Sequence, residues 1–156
     1  TGDELFSAMG TTIKKDGNKE TQYKIDFTYQ YEVAKAAYEN GVEKYILVSS
    51  AGANPRARNF YLRIKGDLEE SAAKLTFKKF FIFKPSILVG ARNEKRIGEK
   101  IGISIAKVII GILPFLKKYR PIEGETVADA MINSANDVSH ARVMIYSLDQ
   151  IFHIAE

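Results

Sequence analysis

Tyr61 and Lys65 stand four residues apart in the stretch NFYLRIKGDLEES, residues 59 to 71. Upstream, ILVSSAGANP closes an apolar run on two serines, Ser49 and Ser50. Together these side chains could move a proton. A phenol near its ordinary pKa of about 10 is a poor acid or base at neutral pH. An ammonium beside it favours the phenolate and lowers that value, as general acid/base work requires. A serine hydroxyl in reach would hold the substrate oxygen that the tyrosine protonates. Spacing alone does not decide this, because Lys65 can equally pair with Glu69 one turn further on. The context favours chemistry: a buried strand ending in Ser-Ser, a short loop, then the helix.

The elements that must position these residues alternate along the chain. Residues 3 to 9 read as a short strand ending at Gly10, followed by a polar, lysine-rich loop. Asp26 reads as the N-cap of a helix with Phe27, Tyr31, Ala34 and Tyr38 on its apolar side, stopped by Gly41. Lys44 to Ser49 is an unbroken apolar strand, expected where helices cover both faces of a sheet. Helical spacing returns from about Arg58 to Leu75, with Phe60, Ile64, Leu68, Ala72 and Leu75 on one stripe. That stripe puts Tyr61 and Lys65 together on the shoulder of the helix, turned toward the strand end that carries Ser49 and Ser50. KFFIFKPSILVG is a third buried strand broken at Pro85, residues 97 to 118 a long helix, 125 to 136 another, and RVMIYSL a last strand. Strict alternation predicts an α/β fold with a parallel sheet, whose carboxyl edge is the ligand-binding edge.

The 156 residues, 46% of them hydrophobic, suffice for one domain with a proper core, 1–156. A net charge of +4 is spread along the chain, without the basic, aromatic-interleaved stripe that nucleic-acid binding needs. With no cysteine, disulfides and thiolate chemistry are excluded. TGDELFSAMG lacks the basic and apolar regions of a signal peptide, so a cytoplasmic protein is expected. The apolar run Ile97 to Leu116 is interrupted by Lys100 and Lys107 and closed by Pro114. It reads as an amphipathic cover for the cleft rather than a membrane segment.

GTT after the first strand, VSSAGANP, NFYLRIKGDLEE and KPSILVGARNEKRIGEK together resemble the atypical short-chain dehydrogenase/reductase group. Within that group they look closest to the Tat-interacting oxidoreductase-like and related bacterial NAD(P)-binding proteins. The resemblance runs from about residue 3 to residue 152 and implies a Rossmann fold with NAD or NADP as cofactor. It implies Tyr61 as the acid/base, Lys65 on the nicotinamide ribose, and Ser50, or else Ser49, as the hydroxyl partner. It sets Gly10, Thr11, Thr12, Pro85 and Ser86 along the cofactor. The implied activity is that of an NAD(P)-dependent oxidoreductase or epimerase-like enzyme acting on a small carbonyl or alcohol. The alternative is a cofactor-binding regulatory or interaction protein in which turnover does not matter.

The sequence departs from that family in one respect. No G-x-x-G-x-x-G turn is found to hold a pyrophosphate at a helix N-terminus. The chain reads as the C-terminal portion of a doubly wound Rossmann sheet, starting at the family's fourth strand, and a fragment of a longer protein is the favoured explanation. Half such a sheet has an exposed edge, so a missing N-terminal segment or a second copy is expected against it. Two further clusters carry weaker signals. Arg92 and Arg96 could clamp a substrate carboxylate or phosphate, or simply lie in a solvated loop. His140 and His153 lack ligand-spaced neighbours, and adjacent Glu69 and Glu70 read as a solvated helix face.

Overall fold

The computed structural model of the chain describes residues 2–11, 17–89, 118–136 and 141–156. Thr12, Arg92, Arg96, His140 and nearly all of the predicted long helix lie outside them. Four strands, β1 (Glu4–Ser7), β2 (Lys44–Val48), β3 (Lys79–Lys84) and β6 (Val143–Ser147), form one parallel sheet in the order β1-β2-β3-β6. Two short strands, β4 (Leu88–Val89) and β5 (Ile122–Glu123), pair in parallel beside it. The register sets Ser7 opposite Leu47, Val48 opposite Phe83, and Lys84 opposite Ser147. All four strands therefore end along one edge, as the alternation predicts.

Alternate residues of the central strands feed two separate cores, which explains why β2 and β3 are apolar throughout. Tyr45, Leu47, Phe80 and Ile82 pack on one face with Ala34, Leu68, Ala72 and Phe77. These partners come from a long helix α1 (residues 19–39), from α2 (Phe60–Ala73) and from the turn after it. Ile46, Val48, Phe81 and Phe83 pack on the other face against α3 (Gly124–Ala135) and α4 (Gln150–Ala155), through Val127, Ala130, Met131 and Ile151. Helices on both faces of a parallel sheet make this the doubly wound α/β class. Among the described residues no helix is long and apolar enough to cross a membrane.

Helix α1 differs from its sequence-based expectation. It runs through Lys19–Tyr23, a π-helical stretch Lys24–Tyr29, and Gln30–Glu39. Its N-cap is Asn18, whose side chain accepts from the Thr21 N–H at 2.7 Å, eight residues before the expected Asp26 cap. Asp26 lies inside the π-helical stretch and is fully buried. A π turn carries i→i+5 bonds and occurs mostly as a single bulge at functional sites. Gly41, with φ at +82°, does end the helix.

Helix α2 follows the predicted stripe, with Ile64, Leu68 and Ala72 buried. Asn59 caps it by accepting from Leu62 N–H at 3.1 Å. Its position is set by Gly66. A β-carbon there would stand 2.3 Å from the Asn54 carbonyl carbon and 2.4 Å from the Pro55 nitrogen. The Asn54 N–H also donates to the Leu62 carbonyl at 3.1 Å, so helix and loop meet backbone to backbone. Alanine normally gains about 1 kcal/mol over glycine inside a helix. Overpacking costs about 1–3 kcal/mol or more, and here the obstacle is main chain, which cannot swing aside. Gly66→Ala is therefore expected to destabilise the protein by about 2 kcal/mol. Urea unfolding checks the sign, and a variant as stable as the parent would contradict this packing.

Candidate functional site

The carboxyl ends of β1, β2 and β3 bring together the residues singled out by sequence. Ser49 and Ser50 follow β2, Pro85 and Ser86 follow β3, and Gly10 and Thr11 lie in the turn after β1. The Ala51 N–H donates to the Pro85 carbonyl at 2.9 Å and draws the β2 and β3 ends together. Pro85 is buried, while Ser86 donates its hydroxyl to the Arg120 carbonyl.

The two serines part company. Ser49 is buried, and its hydroxyl donates to the Glu69 carboxylate. Glu69 in turn pairs with Lys84 at 2.7 Å, and Lys84 also donates to the Ala53 carbonyl at 3.3 Å. Glu69 keeps only 11% of its side-chain exposure, so the solvated face expected for it is not observed; only Glu70 is exposed. Successive residues point to opposite sides of an extended strand end, and Ser50 is the one that meets Tyr61. The Ser50 hydroxyl, which donates to the Ala51 carbonyl at 3.5 Å, is near enough to the Tyr61 phenol to favour the phenolate. It is outweighed. Burial, and then the nearby Asp26 carboxylate, push the Tyr61 phenol above its ordinary range.

Lys65 is not on the helix shoulder but buried, with 2% of its side chain exposed. Its Nζ lies 3.1 Å from Asp26 Oδ1 and donates to the Met9 carbonyl at 3.1 Å. The same Nζ stands 5.9 Å from the centre of the Tyr61 ring. Burial lowers the lysine's pKa, while Asp26 and then Glu69 pull it back up. The expected lowering of the tyrosine's pKa by a free ammonium is thus not what the geometry delivers, because the carboxylate that cancels the ammonium sits closer to it than the phenol does.

Asp26 is the principal residue that the sequence leaves unassigned to the site. Its carboxylate accepts the Thr11 N–H at 3.2 and 3.3 Å, so that amide is committed within the chain. A β-carbon on Gly10 would stand 3.1 Å from Asp26 Oδ1 and 3.5 Å from Lys65 Nζ, so the turn lies directly on the pair. Gln22, which donates to the Thr11 carbonyl at 3.2 Å, and Gln30 are buried on the same side of α1. Residues 22, 26 and 30 recur every four positions, a polar stripe leading to buried Ala34. That periodicity is the signal from which a buried polar face could have been found.

No family model matches the chain. Solved structures of the same fold include MoeE5 in complex with UDP-glucose and NAD, with a TM-score of 0.67 and 11% identity over 98% of this chain and 61% of that one. Another is a UDP-galactose 4-epimerase, with a TM-score of 0.66 and 13% identity over 94% of this chain and 55% of that one. At such identities the likeness shows a Rossmann-type fold. Among curated relatives, the mitochondrial FMP52-1 protein of Scheffersomyces stipitis is 40% identical over 85% of the chain, and the chain spans 59% of its length. The FMP52 protein of Eremothecium gossypii is 32% identical over 99% of the chain and 70% of its own length. FMP52-2 of Scheffersomyces stipitis is 34% identical over 97% and 69%. These relatives are not the Tat-interacting subgroup to which the motifs seemed nearest. All three are named mitochondrial, which overturns the expectation of a cytoplasmic protein. The chain belongs to the FMP52 family.

Proposed function

We propose that the complete protein is an NAD(P)-dependent oxidoreductase or epimerase-like enzyme for a small carbonyl or alcohol substrate, with Tyr61 as its acid/base. The observation that carries this is the placement of Lys65 Nζ 5.9 Å from the centre of the Tyr61 ring, beside the turn after β1, at the edge at which open α/β sheets bind ligands. The same fold serves structures that carry NAD or NADPH.

The described residues fit a nicotinamide dinucleotide in part. A lysine ammonium has three donors. Asp26 and Met9 take two at Lys65, which leaves a third for a ribose hydroxyl. Gly10 presents no side chain beside that position. Pro85 and Ser86 would border the cofactor from the β3 side, and Thr12 is proposed only as a cofactor contact. Arg92 and Arg96 are proposed only as substrate contacts. When bound, the cofactor supplies or accepts the hydride. Tyr61 gives or takes the proton at the substrate oxygen, and Ser50 holds that oxygen in line. A second reading, a cofactor-binding regulatory protein without turnover, is favoured by the near-complete burial of Lys65.

Fluorescence titration of the complete protein with NADH and NADPH, followed by a panel of small ketones and aldehydes, tests the proposal. Tyr61→Phe should retain cofactor binding and fold while losing turnover by about 10²–10⁴-fold, the usual contribution of a general acid/base group. Unchanged turnover in that variant would exclude the tyrosine as the acid. Binding without any turnover in the parent would favour the regulatory protein.

Lys65→Ala should do more than weaken cofactor binding. It strands the Asp26 carboxylate, which is fully buried. Removing one partner of a buried pair costs about 3–5 kcal/mol, against a few tenths for a pair on a helix surface. Equilibrium unfolding distinguishes the two, and a loss below about 1 kcal/mol would mean that water reaches the carboxylate.

A further inference from the structure

The π-helical stretch of α1 does more than bend a helix. It places Asp26 at the meeting point of three elements. The carboxylate pairs with Lys65 of α2 and accepts the Thr11 amide from the β1 turn. The Asp26 main-chain carbonyl accepts from Gln30 Nε2 at 2.8 Å, and Gln30 Oε1 accepts from the Ser7 hydroxyl on β1 at 2.9 Å. Lys65 closes the circuit onto the Met9 carbonyl. Asp26, Gln30 and Lys65 in this ring are all buried.

The charged groups facing the phenol come from each element packed around it. Helix α2 supplies Lys65 and α1 supplies Asp26, while the stretch after the β2 end contributes the Ser50 hydroxyl; Glu69, paired with Lys84, acts in turn on Lys65. Two cations are matched by two carboxylates at 3.1 and 2.7 Å. With Nζ 5.9 Å from the centre of the Tyr61 ring and 3.1 Å from Asp26 Oδ1, the paired ammonium acts on the tyrosine as a dipole rather than a charge, and the field of a dipole falls off faster with distance. Among the described residues, these two pairs offer no net positive charge to stabilise a phenolate.

We propose that Asp26 is a positioning residue that acts through Lys65 to hold Tyr61 in its protonated form, which suits the site to carbonyl reduction. This rests on the catalytic reading of Tyr61 given above. In that direction a reduced nicotinamide would supply the hydride to the carbonyl carbon, and the Tyr61 phenol would give its proton to the carbonyl oxygen. The carbonyl becomes an alcohol, the nicotinamide is oxidised, and the phenolate recovers a proton from water through the Ser50 side. Alcohol oxidation needs the phenolate at the outset and should therefore rise only at alkaline pH. The shifts agree with the geometry, since burial first and Asp26 second raise the Tyr61 pKa.

The test is carried out on the full-length protein labelled with ¹³C at the tyrosine ring carbon that bears oxygen. The Tyr61 resonance is assigned by its loss in Tyr61→Phe. In the parent it should keep its neutral position to above pH 10, the ordinary phenol value. In Asp26→Asn the midpoint should fall by about one pH unit or more, a tenfold change in the ionisation equilibrium, because the ammonium is then uncompensated. A midpoint that stays or rises in Asp26→Asn, or a parent Tyr61 ionised at neutral pH, overturns the proposal. Should Asp26→Asn fail to fold, the doubly uncharged Asp26→Asn/Lys65→Met variant decides. Its midpoint should match the parent's, and a fall of about one unit would overturn the cancellation. No cofactor enters this measurement, so its failure and the failure of the NAD(P) reading are distinguishable.

Discussion

The organisation of the site depends on one buried contact, the ion pair between Asp26 and Lys65. Two charges taken from water are tolerated only when they are close and when their remaining donors and acceptors are met. Here that requirement recruits the main chain. The β1 turn supplies the Thr11 amide and the Met9 carbonyl, and Gly10 permits the approach. Helix α1 adopts a π turn around the carboxylate, and α2 delivers the lysine from its inner face. A surface pair could be rearranged without consequence for the fold. This one ties the first strand to the two helices that cover it.

A second pair, Glu69 with Lys84, stands one helical turn along α2 and answers the first in sign. Tyr61, Lys65 and Glu69 form one stripe four residues apart, so a neutral phenol, a cation and an anion follow each other along the sheet edge. Ser49 serves that stripe by bonding Glu69, which leaves its neighbour Ser50 to meet the phenol. Two adjacent serines thus have different surroundings according to which side of the strand end they occupy.

Much of the fold is legible in the sequence because the central strands are apolar on both faces, and α2 carries an uninterrupted stripe through Ile64, Leu68 and Ala72. The start of α1 is less legible, since Asn18 and Asp26 are both good caps by type, and the choice between them depends on tertiary partners. The grouping of Ser50, Tyr61 and Lys65 follows from strand, loop and helix order. The electrostatics do not. A carboxylate across the interface from another helix, as at Asp26, leaves no mark in the spacing of the α2 residues. Glu69 reads as solvated because Lys84 reaches it from a strand, and such pairings are fixed by register rather than by local pattern. Gly66 illustrates the same limit: what forbids a side chain there is the backbone of Asn54 and Pro55, brought in by the turn of the loop.

The flush seating of α2 on that loop has a bearing on how the site responds to heat. The strand end carrying Ser50 and the helix carrying Tyr61 are joined through main chain, by the Asn54–Leu62 hydrogen bond and by the bare face of Gly66. Side-chain rotamers contribute little to that spacing. Sites on loosely packed loops open locally well below the global transition, whereas backbone contacts continuous with a core open together with it. The hydroxyl pair accordingly has no melting point of its own; it keeps its shape until the core beneath it gives way.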